Sequence, residues 1–220
     1  MAVKELFPGV YKIGNRIATL NMVSGRRAYT EELMQENGKE YRNWNPYRSK
    51  LSAAIINGLK HFEIKSSSSV MYLGAATGTT PSHVSDIIGK KGMMYCIELS
   101  ERNMRNLLQL CAYRENMLPI LSDARKVESY ADLVGSCDVM YQDISSRDQA
   151  NVLLANSIFL KPKGYAYFII KSQSIDISKK PVDVFKNELE LLSDTFTVIE
   201  KVELEPYDKM HMFAVLQKKR

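Results

Sequence analysis

Residues 70–80 read Val-Met-Tyr-Leu-Gly-Ala-Ala-Thr-Gly-Thr-Thr, and no other stretch restricts the fold as much. The apolar run 70–73 has the length of a buried strand and stops at Gly74. A second glycine follows at Gly78, and Ser82 and His83 then open an amphipathic stretch with Val84, Ile87 and Ile88. The pattern predicts a strand, a glycine-rich turn and a helix start. At such a turn the backbone approaches a ligand closely, and the first N–H groups of the helix face it. Glu98 closes the next apolar run, 93–97, where a carboxylate accepts bonds from both hydroxyls of a ribose. A strand ending in glycine is common in α/β proteins; the acidic residue after the following strand is what points to a nucleoside.

The same turn excludes two cofactor classes. It has neither the Gly-Lys-Ser/Thr of a phosphate loop nor the strict Gly-x-Gly-x-x-Gly of a dinucleotide site. A nucleoside without phosphates, such as S-adenosylmethionine (SAM), suits it. Beyond the turn, strands are predicted at 70–73, 93–98, 117–121, 139–143, 165–171, 195–204 and 212–217. Helices fall near 80–88, 101–113, 147–159 and 182–192, with Pro181 placed for a first helical turn. Alternating strands and helices imply a parallel sheet covered on both faces. Only 205–209, with Pro206, separates the last two strands, so they are expected as an antiparallel hairpin at the sheet edge. Before this unit, 10–13 and 17–20 flank Gly14-Asn15-Arg16 as a hairpin, and short polar segments continue to Glu40. The expected organisation is therefore a small β-rich domain at 1–45 and an α/β domain at 46–220, with a helix starting from Pro46.

Composition narrows the class. Apolar content of 45% with 25% charged residues is that of a soluble globular chain, and the net charge of +5 permits an anionic partner. No run approaches the ~20 apolar residues that span a bilayer, and the first residues lack a signal-peptide core, so no membrane association and a cytoplasmic location are expected. Cys96, Cys111 and Cys137 are odd in number and sit in apolar contexts, which reads as reduced thiols and no metal site.

Ligand sites in open α/β sheets lie beyond the carboxyl ends of the strands. Glu98, Asp123, Asp143 and Lys171 all fall there. Asp123 suits an adenine amino group. Lys171 ends a run so apolar that burial would disfavour its charged form; a second lysine nearby would add to this, and Asp143 would oppose it. Residues 44–50, Trp-Asn-Pro-Tyr-Arg-Ser-Lys, offer aromatic and basic groups to a nucleic acid, although Trp44 reads better as a core plug.

Five strings carry a family resemblance: 41–51 (Tyr-Arg-Asn-Trp-Asn-Pro-Tyr-Arg-Ser-Lys-Leu), 72–80, 82–86 (Ser-His-Val-Ser-Asp), 171–176 (Lys-Ser-Gln-Ser-Ile-Asp) and 204–211 (Leu-Glu-Pro-Tyr-Asp-Lys-Met-His). In these the chain resembles the fibrillarins, SAM-dependent RNA 2′-O-methyltransferases, in their short archaeal form. The resemblance implies a Rossmann-like class I methyltransferase fold: a mostly parallel seven-stranded sheet with the last strand antiparallel, plus a small N-terminal β domain. It implies that Gly74, Ala75, Thr79, Thr80, Glu98, Leu99, Asp123, Ala124, Asp143 and Ser146 hold SAM, and that Lys50, Asp143, Lys171 and His211 form the catalytic set. The family reads Asp-Val/Ile-Ala-Gln where this chain has Asp143-Ile-Ser145-Ser146, so a shorter side chain stands at 146. It further implies methylation of ribosomal RNA, and of transfer RNA, within a box C/D ribonucleoprotein. The partners are then a guide RNA, the target RNA, a Nop-family scaffold protein and a kink-turn-binding ribosomal-type protein. Two other classes remain open here: a protein glutamine methyltransferase of the same fold, and a non-catalytic ribonucleoprotein scaffold.

Overall fold

Five short strands come first. In the computed structural model, which describes residues 2–220, they are β1 (Val3–Phe7), β2 (Val10–Ile13), β3 (Arg16–Leu20), β4 (Leu33–Glu36) and β5 (Lys39–Asn43). They form an antiparallel sheet in the order β1-β2-β3-β5-β4. The β2–β3 hairpin falls where Gly14 was expected to turn the chain. The β4–β5 hairpin turns on Asn37-Gly38, both with positive φ (53° and 71°), which is the type I′ geometry that suits the strand twist. Met1, the first residue of the expected N-terminal domain, lies outside the described residues.

Residues 46–49 do not form the expected start of a helix. Asn45 accepts a bond from the Tyr47 N–H on its side chain and closes a turn instead, and Ser49 caps α1 (Lys50–Ile56) by accepting from the Ser52 N–H. The helix therefore begins at Lys50.

The α/β unit then runs β6 (Ser69–Leu73), α2 (Thr79–Ile88), β7 (Met93–Glu98), α3 (Glu101–Cys111), β8 (Met117–Leu121), β9 (Cys137–Gln142), α4 (Gln149–Asn156) and β10 (Leu160–Lys171). A short α5 (Ser172–Ile175), α6 (Pro181–Leu191), β11 (Phe196–Glu203) and β12 (His211–Lys218) complete it. The sheet order is β11-β12-β10-β9-β6-β7-β8. The pairs from β10 through β8 are parallel, and β12 runs antiparallel between β10 and β11. β10 starts five residues before the expected position, with a register shift between Leu160 and Tyr165 where Gly164 approaches the Asp138 carbonyl. Among the described residues no helix is long and apolar enough to cross a membrane.

Successive strand residues face two cores, as the period of two requires. Tyr72, Cys96, Tyr141, Tyr167 and Phe213 join one, with Trp44, α1 and α2; Met71, Leu73, Ile97, Met140 and Phe168 join the other, with α4 and α6. The first core also takes in Val10 and Ile17, so the expected division at residue 45 falls between β5 and α1, beside a continuous apolar cluster.

A buried ion cluster ties β5 to the back of α2. Arg42 on β5 is 2.7 Å from both Glu31 and Asp86, Arg114 is 2.7 Å from the other oxygen of Asp86, and all four side chains are fully buried. His83 lies alongside, bonded through its two ring nitrogens to Thr19 and Tyr29, and Trp44 stacks on it with ring centroids 4.8 Å apart. Removing one partner of such a cluster strands the rest without compensation. Asp86→Ala should therefore lower unfolding stability by about 3–5 kcal/mol in urea denaturation; a loss near zero would show that the cluster does not hold the two sheets together. Burial, reinforced by the charges of Arg42 and Arg114, holds His83 well below its ordinary 6.5, so it is neutral when folded. Below about pH 6.5 the unfolded chain takes up a proton that the folded one refuses, so this residue's share of stability falls as the solution is acidified. Melting temperature should decline as pH drops through that window.

Candidate active site at the carboxyl ends of the strands

The sheet order reverses between β6 and β9, and a cleft of about 420 Å³ opens beyond their carboxyl ends. That is the switch-point position at which open α/β sheets bind ligands, and the volume lies in the range of small-molecule sites. Its floor is the turn after β6. Gly74 there has φ of +83°, and a Cβ would stand 2.6 Å from the Asp143 carbonyl oxygen, so only glycine lets the two backbones meet. Gly78, φ +90°, is the N-cap of α2 and lies against Leu107 and Leu110 of α3. Between them the turn is stapled by Glu98, whose Oε2 accepts from the Ala76 N–H at 2.7 Å while Oε1 accepts from the Ser100 N–H at 2.8 Å. Oε1 also accepts from the Asn103 side-chain amide at 3.4 Å, so Oε2 is the oxygen that keeps a further lone pair for a ligand hydroxyl.

At one end of the cleft a single acid holds two amines. Asp143, just past β9, has Oδ2 3.1 Å from the Lys50 Nζ and Oδ1 2.7 Å from the Lys171 Nζ. Lys171 also donates to the Asp143 carbonyl and to the Ser145 hydroxyl, each at 3.2 Å. Burial alone would raise the Asp143 carboxyl; the charges of Lys50 and Lys171 reverse this and hold it below the usual aspartate range. Burial likewise pulls the Lys50 amine down, and Asp143 followed by Asp208 more than restores it, leaving it above its ordinary value. The acid's opposing influence therefore prevails over burial at Lys50. His211 opens β12 directly opposite Lys171, so the two side chains leave the same face of the sheet.

Each amine is delivered by a buried scaffold. Lys50 is the first residue of α1, and the Ser49 cap that fixes it accepts a bond from the Thr80 hydroxyl at 2.9 Å. Ser52 of the same turn donates to the Trp44 carbonyl at 2.7 Å, tying it to the ring stacked on His83. Lys171 ends the buried run 166–170, and its N–H donates to Gln149, whose carbonyl is held by Gln142 of β9.

Of the expected ligand residues, Gly74, Glu98, Leu99, Asp123, Ala124, Asp143 and Ser146 line the cleft. Ala75, Thr79 and Thr80 stand outside its lining; Ala75 and Thr80 are buried, and Thr80 spends its hydroxyl on Ser49. Asp123 is engaged by Arg125, whose guanidinium hydrogen bonds hold the carboxyl below its usual range. Ser146 bonds with Asp148 beside the cleft. Sequence reading missed Ala76, Ser100, Asn103, Ser145 and Asp208. Ser100 and Asn103 carry a legible signal, a serine N-cap directly after the acidic strand end; Asp208 has none apart from its string. Among the described residues no cluster of His, Cys, Asp or Glu is fit to hold a metal ion.

A sequence model of the Fibrillarin family matches residues 1–220. The chain is 48% identical over 221 residues to the fibrillarin-like rRNA/tRNA 2′-O-methyltransferase of Pyrococcus furiosus, covering 98% of this chain and 97% of that protein. The chain belongs to the fibrillarin family. The solved structure of Aeropyrum pernix fibrillarin in complex with natively bound S-adenosyl-L-methionine superposes with a TM-score of 0.90 at 40% identity, covering 98% of both chains. The fibrillarin chain of a fibrillarin/Nop5p complex superposes with a TM-score of 0.89 at 35% identity, covering 98% of this chain and 100% of that one. As a fibrillarin, the chain has the expected class I methyltransferase architecture, with the antiparallel last strand inserted between β10 and the edge strand β11.

Gly74→Ala should destabilise the fold by about 1–3 kcal/mol, because it forces a Cβ into left-handed backbone against the Asp143 carbonyl. Equal denaturation midpoints for variant and wild type would contradict the close approach.

Proposed function

We propose that this chain methylates ribose 2′-hydroxyls of ribosomal RNA, and of transfer RNA, using SAM, as the catalytic subunit of a box C/D guide ribonucleoprotein. The observation that carries the reading is the Lys50–Asp143–Lys171 trio at the end of a nucleoside-sized cleft. Its support among relatives is the 2′-O-methyltransferase name of the Pyrococcus furiosus protein and the bound SAM of the Aeropyrum pernix structure.

The residues fit SAM. Gly74 leaves room that a side chain would fill, Glu98 offers acceptor capacity for a ribose diol, and Asp123 and Ala124 line the far side of the cleft. These residues, with Leu99, Asp143 and Ser146, would hold it. Thr80 is assigned instead to the support of Lys50. When bound, SAM supplies an electrophilic methyl carbon on a sulfonium.

The chain's own groups orient the acceptor. Lys50, paired with two carboxylates, stays charged and donates to the ribose oxygen. Lys171 has only one carboxylate partner, so it is the amine that first gives up a proton to solvent, and the neutral amine then takes the one leaving the 2′-hydroxyl. Asp143 holds both at fixed separation, which contributes through orientation. A trio of two amines and an acid suits a hydroxyl acceptor better than an amide nitrogen, which separates this reading from a glutamine methyltransferase. Target choice belongs to the assembly. Base pairing with a guide RNA selects the nucleotide, and a Nop-family scaffold and a kink-turn-binding protein position the enzyme; the Nop5p complex of the related fibrillarin supports the scaffold.

Lys171→Ala should lower methyl transfer by about 10²–10⁴-fold while calorimetric SAM affinity stays within a few-fold of wild type. Glu98→Ala should weaken SAM binding by roughly 10- to 100-fold, the cost of losing charge-assisted bonds. Transfer that survives the lysine change would show that the base is another group. The purified chain alone should methylate naked RNA poorly; robust, site-selective turnover without the assembly would overturn the guide-dependent reading.

A further inference from the structure

Asp208 lies in the segment between β11 and β12, outside the expected site. Its Oδ2 is 3.4 Å from the Lys50 Nζ and its Oδ1 is 2.8 Å from the His211 Nδ1. The side chains thus form one row, Lys171–Asp143–Lys50–Asp208–His211, in which basic and acidic groups alternate. Lys50 faces two carboxylates and Lys171 faces one. The His211 Nδ1 is also 2.7 Å from the Lys209 carbonyl oxygen. Both neighbours of that nitrogen are acceptors, so it carries the hydrogen, and in the neutral ring Nε2 keeps the lone pair.

The segment that carries Asp208 is indexed to the helix that carries Lys50. Asn57, the C-cap of α1, donates through its side chain to the Glu203 carbonyl at 2.7 Å and to the Glu205 carbonyl at 2.8 Å. The N–H groups of Tyr207 and Asp208 both donate to the carbonyl of the fully buried Leu204. Tyr207 packs edge-on against Tyr47, three residues before Lys50, with centroids 5.0 Å apart. One end of α1 therefore sets the amine, and the other end sets its second acid.

We propose that Asp208 is a positioning residue that gives the two lysines different tasks. It keeps Lys50 as a charged donor and fixes the His211 ring with hydrogen on Nδ1, which leaves Lys171 as the amine that accepts the proton. This rests on the reading of the site as a 2′-O-methyltransferase. Without Asp208 each lysine would have the same single carboxylate partner, and ion pairing would not decide which of them surrenders its proton. The group facing Lys50 from β9 is Asp143, with Lys171 of β10 behind it; from the β11–β12 segment it is Asp208, with His211 of β12 behind it. Asp208 is itself held below the usual aspartate range: burial would raise it, and the His211 hydrogen bond and the Lys50 charge reverse that. Removing its charge takes away one of the two attractions on the Lys50 ammonium, which then releases its proton at lower pH.

The test is single-turnover transfer from labelled SAM in the assembled guide ribonucleoprotein, followed across pH, with SAM affinity and melting temperature measured on the same proteins. Asp208→Asn should lower the rate about 10- to 100-fold with SAM affinity unchanged, and the alkaline fall in rate should begin at lower pH. Asp208→Glu should restore most of the rate and the profile. Asn57→Ala keeps every charged group but frees the segment, so it should move rate and profile in the same direction, and it carries the test if Asp208→Asn does not fold. A wild-type rate and profile in the asparagine variant would overturn the proposal. So would a uniform loss across pH that the glutamate variant does not relieve, since that marks a merely structural carboxylate. If the wild-type assembly transfers no label, the methyltransferase reading itself fails and this proposal falls with it; if it does and only the Asp208 outcomes fail, the proposal alone is lost.

Discussion

The site depends on one half-buried acid. Asp143 brings together the first residue of α1, the end of β9 and the end of β10, three places separated by many residues in the chain, through two ion pairs of 3.1 and 2.7 Å. Taking a carboxylate and two ammonium groups from water is unfavourable, and the arrangement persists because each charge is compensated at close range. A neutral residue at 143 would leave two amines facing one another with no acid between them. Specific geometry, rather than net stability, is what the trio supplies.

The acid also couples the cleft to the chemistry. The Gly74 turn that forms the floor of the cleft rests against the Asp143 carbonyl, so a shift in one moves the other. Behind the turn, α2 is fixed by Asp86 to Arg42 of the N-terminal sheet and to Arg114 after α3. From the same helix Thr80 holds the Ser49 cap of α1. The small sheet thus reaches the active-site amine through a chain of buried polar contacts: β5 to α2, α2 to Ser49, Ser49 to Lys50. Its place in the molecule is mechanical as much as it is a separate layer.

Much of this was legible from residues alone, and the reasons differ by element. The apolar run 70–73 with its glycine, the acidic strand end at Glu98 and the alternation of strands and helices foretell the parallel sheet, because hydrophobic periodicity and glycine conformations are local properties. The strand ends also foretell that Glu98, Asp143 and Lys171 meet, since topology places all carboxyl ends on one side. Thr80 lies outside the cleft lining with its hydroxyl on Ser49, and helix N-terminal threonines look alike in sequence whether they face a ligand or a neighbouring cap. The helix start at Lys50 rather than Pro46 turns on competition between the Asn45 turn and the Ser49 cap, which propensity cannot rank. The Asn37-Gly38 hairpin signal stands plainly in the sequence and is hidden only by the polar character of its strands. Nothing in the sequence marks Arg42, Glu31, Asp86 and Arg114 as one cluster, and only the fold reveals that all four are buried together.

The central claim is electrostatic, and carbon-detected NMR of the labelled Asp143 carboxyl through an acid titration tests it most directly. With both amines in place the carboxyl should stay ionised to a pH below that at which ordinary aspartates protonate, and replacing Lys171 by Ala should move its midpoint upward. A midpoint in or above the ordinary range in the wild-type chain, indifferent to the lysine, would mean that the acid does not hold the two amines.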